Sequence, residues 1–348
     1  MQKINTALCS FGMSGRVFHA PFLEQHPGFQ LYAVWERSKK SVQELYPQVI
    51  SYVNYEELLA DPAIELVVVN TPTYTHYDFT RAALLAGKHV IVEKAFTVTV
   101  AQAEELVQLA KSQNRKLSVY QNRRWDSDFK TVQKIVNEKQ LGRIVEAEIH
   151  YDRYNLALSP KAHKETPGPG AGVLHDLGPH IIDQALQLFG LPDALFADIR
   201  TLRPSSQVSD YLDILLYYPA LRVRLKSGYI VKEPPPAFIL HGLEGSFLKH
   251  RADLQETDLQ KGLKPGSAEW GREPDWAQGI LHKTGKKGDS RELVPTLQGN
   301  YMDYYDAIYG ALTTNKPLPV TAEDGLAVMR IIEAAIESDI QKKVIDLS

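Results

Sequence analysis

The segment Ile4–Gly15 reads INTALCSFGMSG, a run of strand-forming residues followed at once by two glycines three positions apart. The run up to Ser10 predicts a β-strand, and Gly12 to about His26 predicts a tight turn and a helix. The dinucleotide fingerprint has glycine at its first, third and sixth positions; Gly12 and Gly15 fit, and Ser10 replaces the first. Gly12 would let the backbone approach a pyrophosphate, and Gly15 would let the helix pack closely on the sheet. The alternative is a plain turn that needs two glycines.

Strand and helix patterns alternate over the first 122 residues. Ile64–Asn70 is nearly continuous in β-branched residues, which is typical of a strand covered on both faces. Such alternation favours a parallel sheet with helices on both faces. We therefore assign residues 1–122 to a dinucleotide-binding Rossmann domain with a doubly wound parallel sheet. The other predicted elements are strands Phe29–Trp35, His89–Glu93 and Leu117–Gln121 and helices Thr75–Ala86 and Val100–Asn114.

After Asn122 the strands follow one another with little helix between them, which predicts an antiparallel sheet. We assign residues 123–348 to this second, α/β domain. Lys261–Glu292 is rich in Gly, Lys and Trp and is predicted as a long loop, and Thr321–Asp324 fits a capping box. The predicted strands are Ile144–Tyr154, Ala194–Thr201, Tyr211–Tyr217, Leu221–Val231 and Phe238–His241, and the predicted helices are Trp125–Gln140, Asp176–Phe189, Tyr301–Thr314 and Thr321–Lys342.

Length and composition narrow the class of protein. A chain of 348 residues suits two domains, and a net charge of −3 gives no basic footprint for nucleic acid or a membrane surface. The single cysteine, Cys9, excludes an internal disulfide framework and a cysteine-rich metal site. No apolar run reaches the ~18–20 residues of a spanning helix, and the N-terminus does not resemble a signal peptide. We expect a soluble cytoplasmic protein that binds neither nucleic acid nor membranes.

The end of the second strand bears on which dinucleotide binds. Glu36 lies close to the offset of about 20 residues at which an acid binds the ribose hydroxyls, which favours NAD. Arg37, Ser38 and Lys39 follow at once and could cradle a 2′-phosphate, so NADP stays open. A solvated loop start is the alternative for this cluster.

Two later strands end in residues suited to chemistry at the same sheet edge, beyond which ligands bind in open α/β sheets. Thr71, Thr73 and His76 follow the buried strand, where a cofactor would run or where they would only cap the next helix. Glu93-Lys94 ends the next strand, and Lys94 could hold a substrate hydroxyl and the nicotinamide ribose. The alternative is an ordinary charged strand end.

A second group of chemical residues opens a helix of the second domain. Asp176 and His180 are four positions apart and so share one helical face, where Asp176 could orient His180 as a general base. An N-cap aspartate and a satisfied core histidine are the alternatives. A metal site of His175, Asp176, His180 and Asp183 is a thin ligand set, so we predict no metal.

Asn122-Arg123-Arg124-Trp125 lies at the predicted domain junction, with Tyr120, Tyr151 and Tyr154 near it in sequence. Aromatic faces beside polar donors suit a sugar ring, whose C–H face is apolar and whose rim carries hydroxyls. We predict Arg123, Arg124, Trp125 and Tyr151 as substrate-binding; hinge packing with ordinary ion pairs is the alternative. The chain lacks a phosphate-loop Gly-Lys-Ser/Thr and a Gly-x-Ser-x-Gly elbow, which argues against nucleotide hydrolysis and serine-esterase chemistry.

Together these motifs resemble the Gfo/Idh/MocA family, named for glucose–fructose oxidoreductase and inositol dehydrogenase, over essentially the whole chain. The resemblance rests on the glycine turn with Met13–His19, on Thr71-Pro72 with His76, on Glu93-Lys94, on Gln121–Arg124 and on Asp176–His180. It implies a Rossmann domain and a C-terminal α/β domain with an open, mostly antiparallel sheet that often forms the interface of a homodimer or homotetramer.

Carried over position by position, the resemblance implies that Lys94, Asp176 and His180 are catalytic, with His180 as the proton acceptor. Ala95 stands where the family has proline. Because proline fixes φ, its replacement puts in doubt the local backbone geometry that presents Lys94. The positions that match the cofactor site are Ser10, Gly12, Met13, Ser14, Gly15, Glu36, Arg37, Thr71, Thr73, His76, Glu93 and Asn122.

The resulting prediction is an NAD(P)-dependent oxidoreductase that moves a hydride between a secondary alcohol of a sugar or cyclic polyol and a nicotinamide. Two other classes stay open. One is an NAD-dependent glycosidase that oxidises the sugar transiently and lets the aglycone leave by elimination. The other is a non-catalytic sensor that binds the dinucleotide.

Overall fold

The computed structural model describes residues 3–37, 40–159, 161–285 and 288–347. They divide into two compact units. The first contains the residues up to Asn122 and also Leu254–Trp270 and Asn300–Leu326, two segments that the sequence analysis placed in the second domain. The second contains Arg123–Asp253, Gly271–Gly299 and the chain from Ala327 onward.

The first unit is built on a six-stranded sheet in the order β3-β2-β1-β4-β5-β6, with every neighbouring pair parallel. This is the strand order of dinucleotide-binding sheets, so the predicted doubly wound fold is confirmed. The short, half-exposed β3 was not predicted from the sequence. The strands are β1 (Ile4–Leu8), β2 (Phe29–Trp35), β3 (Ile50–Tyr52), β4 (Leu66–Val69), β5 (His89–Val92) and β6 (Leu117–Val119).

The second unit holds a nine-stranded sheet in the order β14-β13-β12-β11-β7-β10-β9-β8-β15. Only the β7–β10 pair is parallel, which confirms a mostly antiparallel sheet. The strands are β7 (Ile144–His150), β8 (Ala194–Arg200), β9 (Tyr211–Tyr218), β10 (Leu221–Gly228), β11 (Phe238–Gly242), β12 (Gly245–Lys249), β13 (Gly279–Gly285), β14 (Gly288–Val294) and β15 (Ile345–Asp346).

The predicted long loop Lys261–Glu292 is wrong in its second half, which forms the β13–β14 hairpin. Strand β14 lies at the edge of the sheet and is exposed along almost its whole length. An exposed edge strand does not need alternating apolar residues, so the period-two signal was missing.

The helices flank the two sheets, and within the described ranges none combines the length and apolar character needed to cross a bilayer. A π-helical turn, Gly15–His19, leads into the first of them. They are α1 (Ala20–Gln25), α2 (Val42–Leu45), α3 (Tyr55–Ala60), α4 (His76–Leu85), α5 (Val100–Ser112), α6 (Ser127–Asn137), α7 (Ala162–Glu165), α8 (Val173–Asp176), α9 (Gly178–Phe189), α10 (Gln255–Gln260), α11 (Met302–Thr313) and α12 (Ala322–Gln341).

The start of α12 carries the predicted capping box. The Asp324 amide donates to Thr321 Oγ1 at 3.0 Å, and the Thr321 amide donates back to Asp324 Oδ2 at 3.0 Å. The two side chains thus satisfy amides that the first turn leaves without intrahelical partners, and the helix start is fixed locally.

Aromatic packing explains why α11 belongs to the first unit although it follows β6 by about 180 residues of chain. The Tyr305 ring stacks on Phe22 of α1 with centroids 5.5 Å apart, and Tyr304 meets Tyr120 edge to face at 4.9 Å. All four side chains are buried. The helix that follows the glycine turn is therefore packed by a segment distant in sequence.

Candidate cofactor and active site

The two glycines of the first turn differ in what surrounds them. A Cβ on Gly15 would lie 2.3 Å from the Ser10 carbonyl oxygen and 2.9 Å from Asn70 Nδ2, so packing requires glycine there. A Cβ on Gly12 would meet nothing closer than Ser10 Oγ at 3.9 Å. Packing among the described residues therefore does not require glycine at position 12, and the backbone there is open to the approach of a ligand. This open surface fits the pyrophosphate of a dinucleotide.

Ser10, which replaces the first glycine of the fingerprint, is tied to Asn70 at the end of β4. The Ser10 amide donates to Asn70 Oδ1 at 2.9 Å, and Asn70 Nδ2 donates to the Ser10 carbonyl at 2.9 Å. The Ser10 hydroxyl donates to the Asn70 carbonyl at 3.1 Å. The departure from glycine thus adds a third bond between two strand ends. No role was predicted for Asn70 from the sequence, although a polar residue at the end of an apolar strand was an available signal.

Glu93, at the end of β5, joins the turn to the segment that carries Lys94. Its Oε1 accepts from the Ser14 hydroxyl at 2.5 Å and lies 3.1 Å from His19 Nε2, and its Oε2 accepts from the Lys94 amide at 3.3 Å. Burial raises the pKa of Glu93, but the hydrogen bonds from His19 and Ser14 and the charge of Lys94 outweigh it and lower the pKa to about 2. The carboxylate is therefore ionised and fixes the backbone on both sides.

His19 extends this network into the core. Its Nδ1 lies 2.7 Å from the Tyr305 hydroxyl, and its ring packs on Tyr120 with centroids 4.5 Å apart. The imidazole is fully buried. His19 lies within the glycine-turn motif, but no role was predicted for it from the sequence. In the structure it connects Glu93 to α11, so a late part of the chain helps to hold the turn.

The Glu36 carboxylate is occupied by its own loop. Oε1 accepts from the Ser41 amide at 3.0 Å and the Ser41 hydroxyl at 2.5 Å, and Oε2 accepts from the Val42 amide at 3.2 Å and the Ser51 hydroxyl at 3.3 Å. A carboxylate has about four acceptor positions, and these donors fill them. Glu36 thus caps α2. Arg37 beside it is exposed, and Ser38 and Lys39 lie outside the described residues.

His76 holds two strand ends together. Its Nε2 lies 2.9 Å from the Thr71 carbonyl oxygen, and its Nδ1 lies 2.7 Å from the Ala95 carbonyl oxygen. Burial lowers the pKa of His76. The Lys94–Ala95 peptide is cis. His76 therefore positions the backbone next to Lys94, while Thr73 begins the 3₁₀ turn that leads into α4.

In the second unit, Asp176 and His180 do not share one helix, contrary to the sequence-based expectation. Asp176 ends α8 and His180 lies in α9, which begins at Gly178 with Pro179 in its first turn. Gly-Pro cannot continue the preceding helix but suits the start of a new one. The Asp176 carboxylate accepts from Lys164 Nζ at 2.9 and 3.0 Å and from the Tyr229 hydroxyl at 3.1 Å.

His180 and Tyr151 form a stacked pair, with ring centroids 6.1 Å apart and planes inclined by 24°. Both side chains are buried. Two residues predicted for different roles, proton transfer and substrate binding, are thus brought together. His175, next to Asp176, is also buried, and burial lowers its pKa.

The predicted substrate-binding arginines have different surroundings. Arg124 forms a two-pronged ion pair with Asp183, Nε to Oδ2 at 2.8 Å and Nη2 to Oδ1 at 2.6 Å, and both side chains are buried. This geometry supports a structural role for Arg124. Arg123 donates to Asp126 at 3.4 Å and lies over the Tyr151 ring. Trp125 is half-buried.

The metal reading gains no support. Asp183, one of its four residues, is committed to Arg124. Across the described ranges, the carboxylates, histidines and cysteine do not assemble into a cluster of three that could hold a metal ion.

Family models of known proteins match both halves of the chain. A family model described as "Oxidoreductase family, NAD-binding Rossmann fold" matches residues 4–121, and one described as "Oxidoreductase family, C-terminal alpha/beta domain" matches residues 133–347. A relative in Bacillus subtilis named scyllo-inositol 2-dehydrogenase (NADP(+)) IolW is 38% identical over 347 residues, covering 100% of this chain and 97% of the relative.

Two solved structures are similar over their full length. The putative oxidoreductase YvaA of Bacillus subtilis is 38% identical with a TM-score of 0.96, covering 100% of this chain and 99% of that one. A putative oxidoreductase of Bacteroides fragilis is 44% identical with a TM-score of 0.90, covering 99% of this chain and 100% of that one.

Proposed function

Because the chain belongs to the Gfo/Idh/MocA family of NAD(P)-binding oxidoreductases, we propose that it transfers a hydride between a secondary alcohol of a sugar or cyclic polyol and NADP. The observation that carries the proposal is the open space beside the backbone of Gly12. The turn that contains Gly12 is held by hydrogen bonds from Ser14 to Glu93 and from Ser10 to Asn70. The substrate named for the Bacillus relative, scyllo-inositol, supports a cyclic polyol.

The residues of the turn would hold the dinucleotide. Gly12 offers backbone without a side chain, Met13 beside it is exposed, and amides at the start of the helical turn that follows would donate to the pyrophosphate. We propose that Ser10, Ser14, Gly15, Glu93 and His76 support this surface and that Thr71, Thr73 and Asn122 border the rest of the cofactor. A bound nicotinamide dinucleotide supplies the hydride acceptor or donor.

The side chains of this protein would accept one proton and stabilise one developing negative charge. We assign His180 as the group that takes the hydroxyl proton and Lys94 as the ammonium that stabilises the alkoxide. Asp176 acts through His180 as a positioning residue, and Lys164 and Tyr229 hold its carboxylate in place. An acid or base placed in this way contributes typically ~10²–10⁴-fold to the rate.

The preference for NADP reverses the lean toward NAD that Glu36 suggested in the sequence. The four hydrogen bonds to the Glu36 carboxylate leave little acceptor capacity for ribose hydroxyls. The exposed guanidinium of Arg37 next to it is suited to a 2′-phosphate. The NADP named for the Bacillus relative agrees with this assignment.

We also propose that the second sheet forms the interface of a homodimer or homotetramer. One of its faces carries a cavity of about 330 Å³ in which charged groups of both signs surround three apolar residues, Ala147, Phe196 and Leu215. Leu215→Arg should reduce the mass measured by light scattering to that of one chain, whereas Leu243→Arg, at an exposed turn, should not. An unchanged mass in Leu215→Arg would contradict this interface. The cavity residues include Glu146, Glu148, Phe196, Asp198, Asp213, Leu215, Arg222 and Arg224.

The experiment that tests the function is a panel of sugars and polyols assayed with NADP and NAD, in which the absorbance of the reduced nicotinamide is followed. We expect turnover of at least one cyclic polyol or sugar and a higher kcat/KM with NADP. Hydrolysis of a glycoside without net change in that absorbance would instead indicate the glycosidase class. Tight dinucleotide binding without turnover of any substrate would indicate a sensor.

A further inference from the structure

Three guanidinium groups surround the ring of Tyr151 in the second unit. Their Cζ atoms lie 4.5 Å (Arg251), 5.3 Å (Arg123) and 5.4 Å (Arg153) from the ring centroid. A guanidinium over an aromatic face is held by the ring while its N–H groups remain directed sideways as donors. Tyr151 therefore acts as a platform that gathers cationic donors, which a merely structural tyrosine would not require.

Buried carboxylates lie beside two of these arginines, and Asp253 adds a further carboxylate next to Asp126 and Asp128. Arg123 and Arg251 contact Asp126 at 3.4 and 3.3 Å, and Arg251 lies 3.6 Å from Asp128. Both aspartates are wholly buried, and burial raises their pKa, which disfavours the charged forms. Within the part of the chain that the structure describes, the buried Arg251 Nε has no hydrogen-bond partner.

Arg153 is the exposed member of the group. Nearby, the Asp176 carboxylate already accepts two contacts from Lys164 Nζ. Arg123, Arg153, Arg251 and Lys164 are thus four cationic side chains in a region that also holds the carboxylates of Asp126, Asp128, Asp176 and Asp253. The guanidinium donors of this region reach solvent at Arg153.

The same ring stacks on His180, the residue assigned to proton transfer. A group bound at the arginines would therefore belong to the molecule whose hydroxyl His180 deprotonates. We propose that the Tyr151 cluster, defined by Tyr151, Arg123, Arg153 and Arg251, binds an oxyanion of the substrate, so that the preferred substrate is a sugar or polyol that carries a carboxylate or a phosphate. This inference rests on the proposed function and narrows its substrate class.

Matched substrates separate the two sources of an oxyanion from a neutral sugar. We expect kcat/KM for D-glucuronate or D-glucose 6-phosphate to exceed that for D-glucose by about tenfold or more, as for one charge-assisted contact. The member of the pair that gains more identifies carboxylate or phosphate as the group bound. A preference for the neutral sugar over both anions would overturn the proposal.

Arg153 provides the cleanest variant because its exposed side chain can be changed without disturbing the core. Arg153→Gln should lower kcat/KM about tenfold for whichever of the two anionic sugars is preferred, and should change kcat/KM for D-glucose by no more than about twofold. Arg153→Lys should restore part of the loss. Arg81→Gln, which changes an exposed arginine of α4 in the first unit, is the matched control and should change neither. Equal losses for the neutral and anionic sugars in Arg153→Gln would mean a structural role only.

Binding measured without turnover distinguishes failure of this inference from failure of the proposed function. Calorimetric titration of the full chain with D-glucuronate and with D-glucose 6-phosphate should show weaker binding of the better anion in Arg153→Gln than in the unchanged protein. If the oxyanion binds through Arg153 while the protein turns nothing over, the site stands and the hydride-transfer assignment fails. If neither anion binds in an Arg153-dependent way, the site assignment is wrong.

Discussion

The ends of β1 and β2 both carry residues that a dinucleotide motif requires, yet their atoms are used differently. At the end of β1 the chain bonds Ser10 to Asn70 and leaves the surface at Gly12 open. At the end of β2 the chain itself fills the acceptor positions of Glu36. A motif thus identifies the residue type, whereas hydrogen bonding decides whether its atoms are available to a ligand.

The largest effect is expected from filling the open surface. Gly12→Val should weaken dinucleotide binding by about 100-fold or more, because a side chain would occupy the space next to the pyrophosphate. The melting temperature should stay close to that of the unchanged protein, since the new side chain meets open space. Fluorescence titration with NADPH and thermal melts measure the two quantities; unchanged affinity would mean that the cofactor does not cross this turn.

Acid should destabilise the same turn, because it protonates the Glu93 carboxylate that holds it. The pKa of Glu93 is about 2 in the folded chain and ordinarily 4.5, so its bonds stabilise the fold above pH 4.5 and lose that effect as the pH falls toward 2. The full contribution is about 3 kcal/mol. The unfolding free energy of the unchanged protein should therefore exceed that of Glu93→Gln most above pH 4.5 and approach it in acid. A pH-independent difference between the two would show that ionisation of Glu93 is not what holds the turn.

Gly15→Ala should act on stability rather than on affinity alone. Its Cβ would clash with the Ser10 carbonyl oxygen, which is backbone and cannot move away cheaply. Overpacking of this kind costs about 1–3 kcal/mol. Urea denaturation of Gly15→Ala beside Gly12→Ala provides the matched pair. Equal stability of the two variants would remove the distinction between a packing glycine and an open one.

The smallest effects concern the end of β2. Arg37→Gln should lower kcat/KM with NADP about tenfold and leave the value with NAD nearly unchanged, because a charge-assisted bond to the 2′-phosphate is lost. Glu36→Gln should leave the ratio of the two cofactors within about twofold and cost about 1 kcal/mol of stability, as for loss of a helix cap. A selective loss of NAD binding in Glu36→Gln would show instead that its carboxylate binds the ribose.

The sequence was informative wherever the structure depends on local patterns. The alternation of strands and helices predicted the parallel sheet, and Thr321–Asp324 predicted the cap of α12, because both are set by neighbouring residues. The exposed β14 gave no signal, since an edge strand with both faces in water shows no apolar period.

The parts of the site that could not be predicted depend on partners distant in sequence. His19 is hydrogen-bonded to Tyr305, 286 positions later, and the Glu36 carboxylate accepts one of its hydrogen bonds from Ser51. The break between Asp176 and His180 was readable in hindsight, because Gly178-Pro179 starts a new helix. The grouping of arginines around Tyr151 requires the fold of the second unit, since Arg123 and Arg251 are far apart along the chain.

The most direct test of the central claim, hydride transfer with His180 as the proton acceptor, is the turnover of His180→Ala measured beside its affinity for NADPH. We predict a turnover lower by about 10²–10⁴-fold with nucleotide affinity largely intact, and a severe loss also in Lys94→Met. Near-normal turnover in His180→Ala, with the preferred substrate and cofactor, would contradict the account.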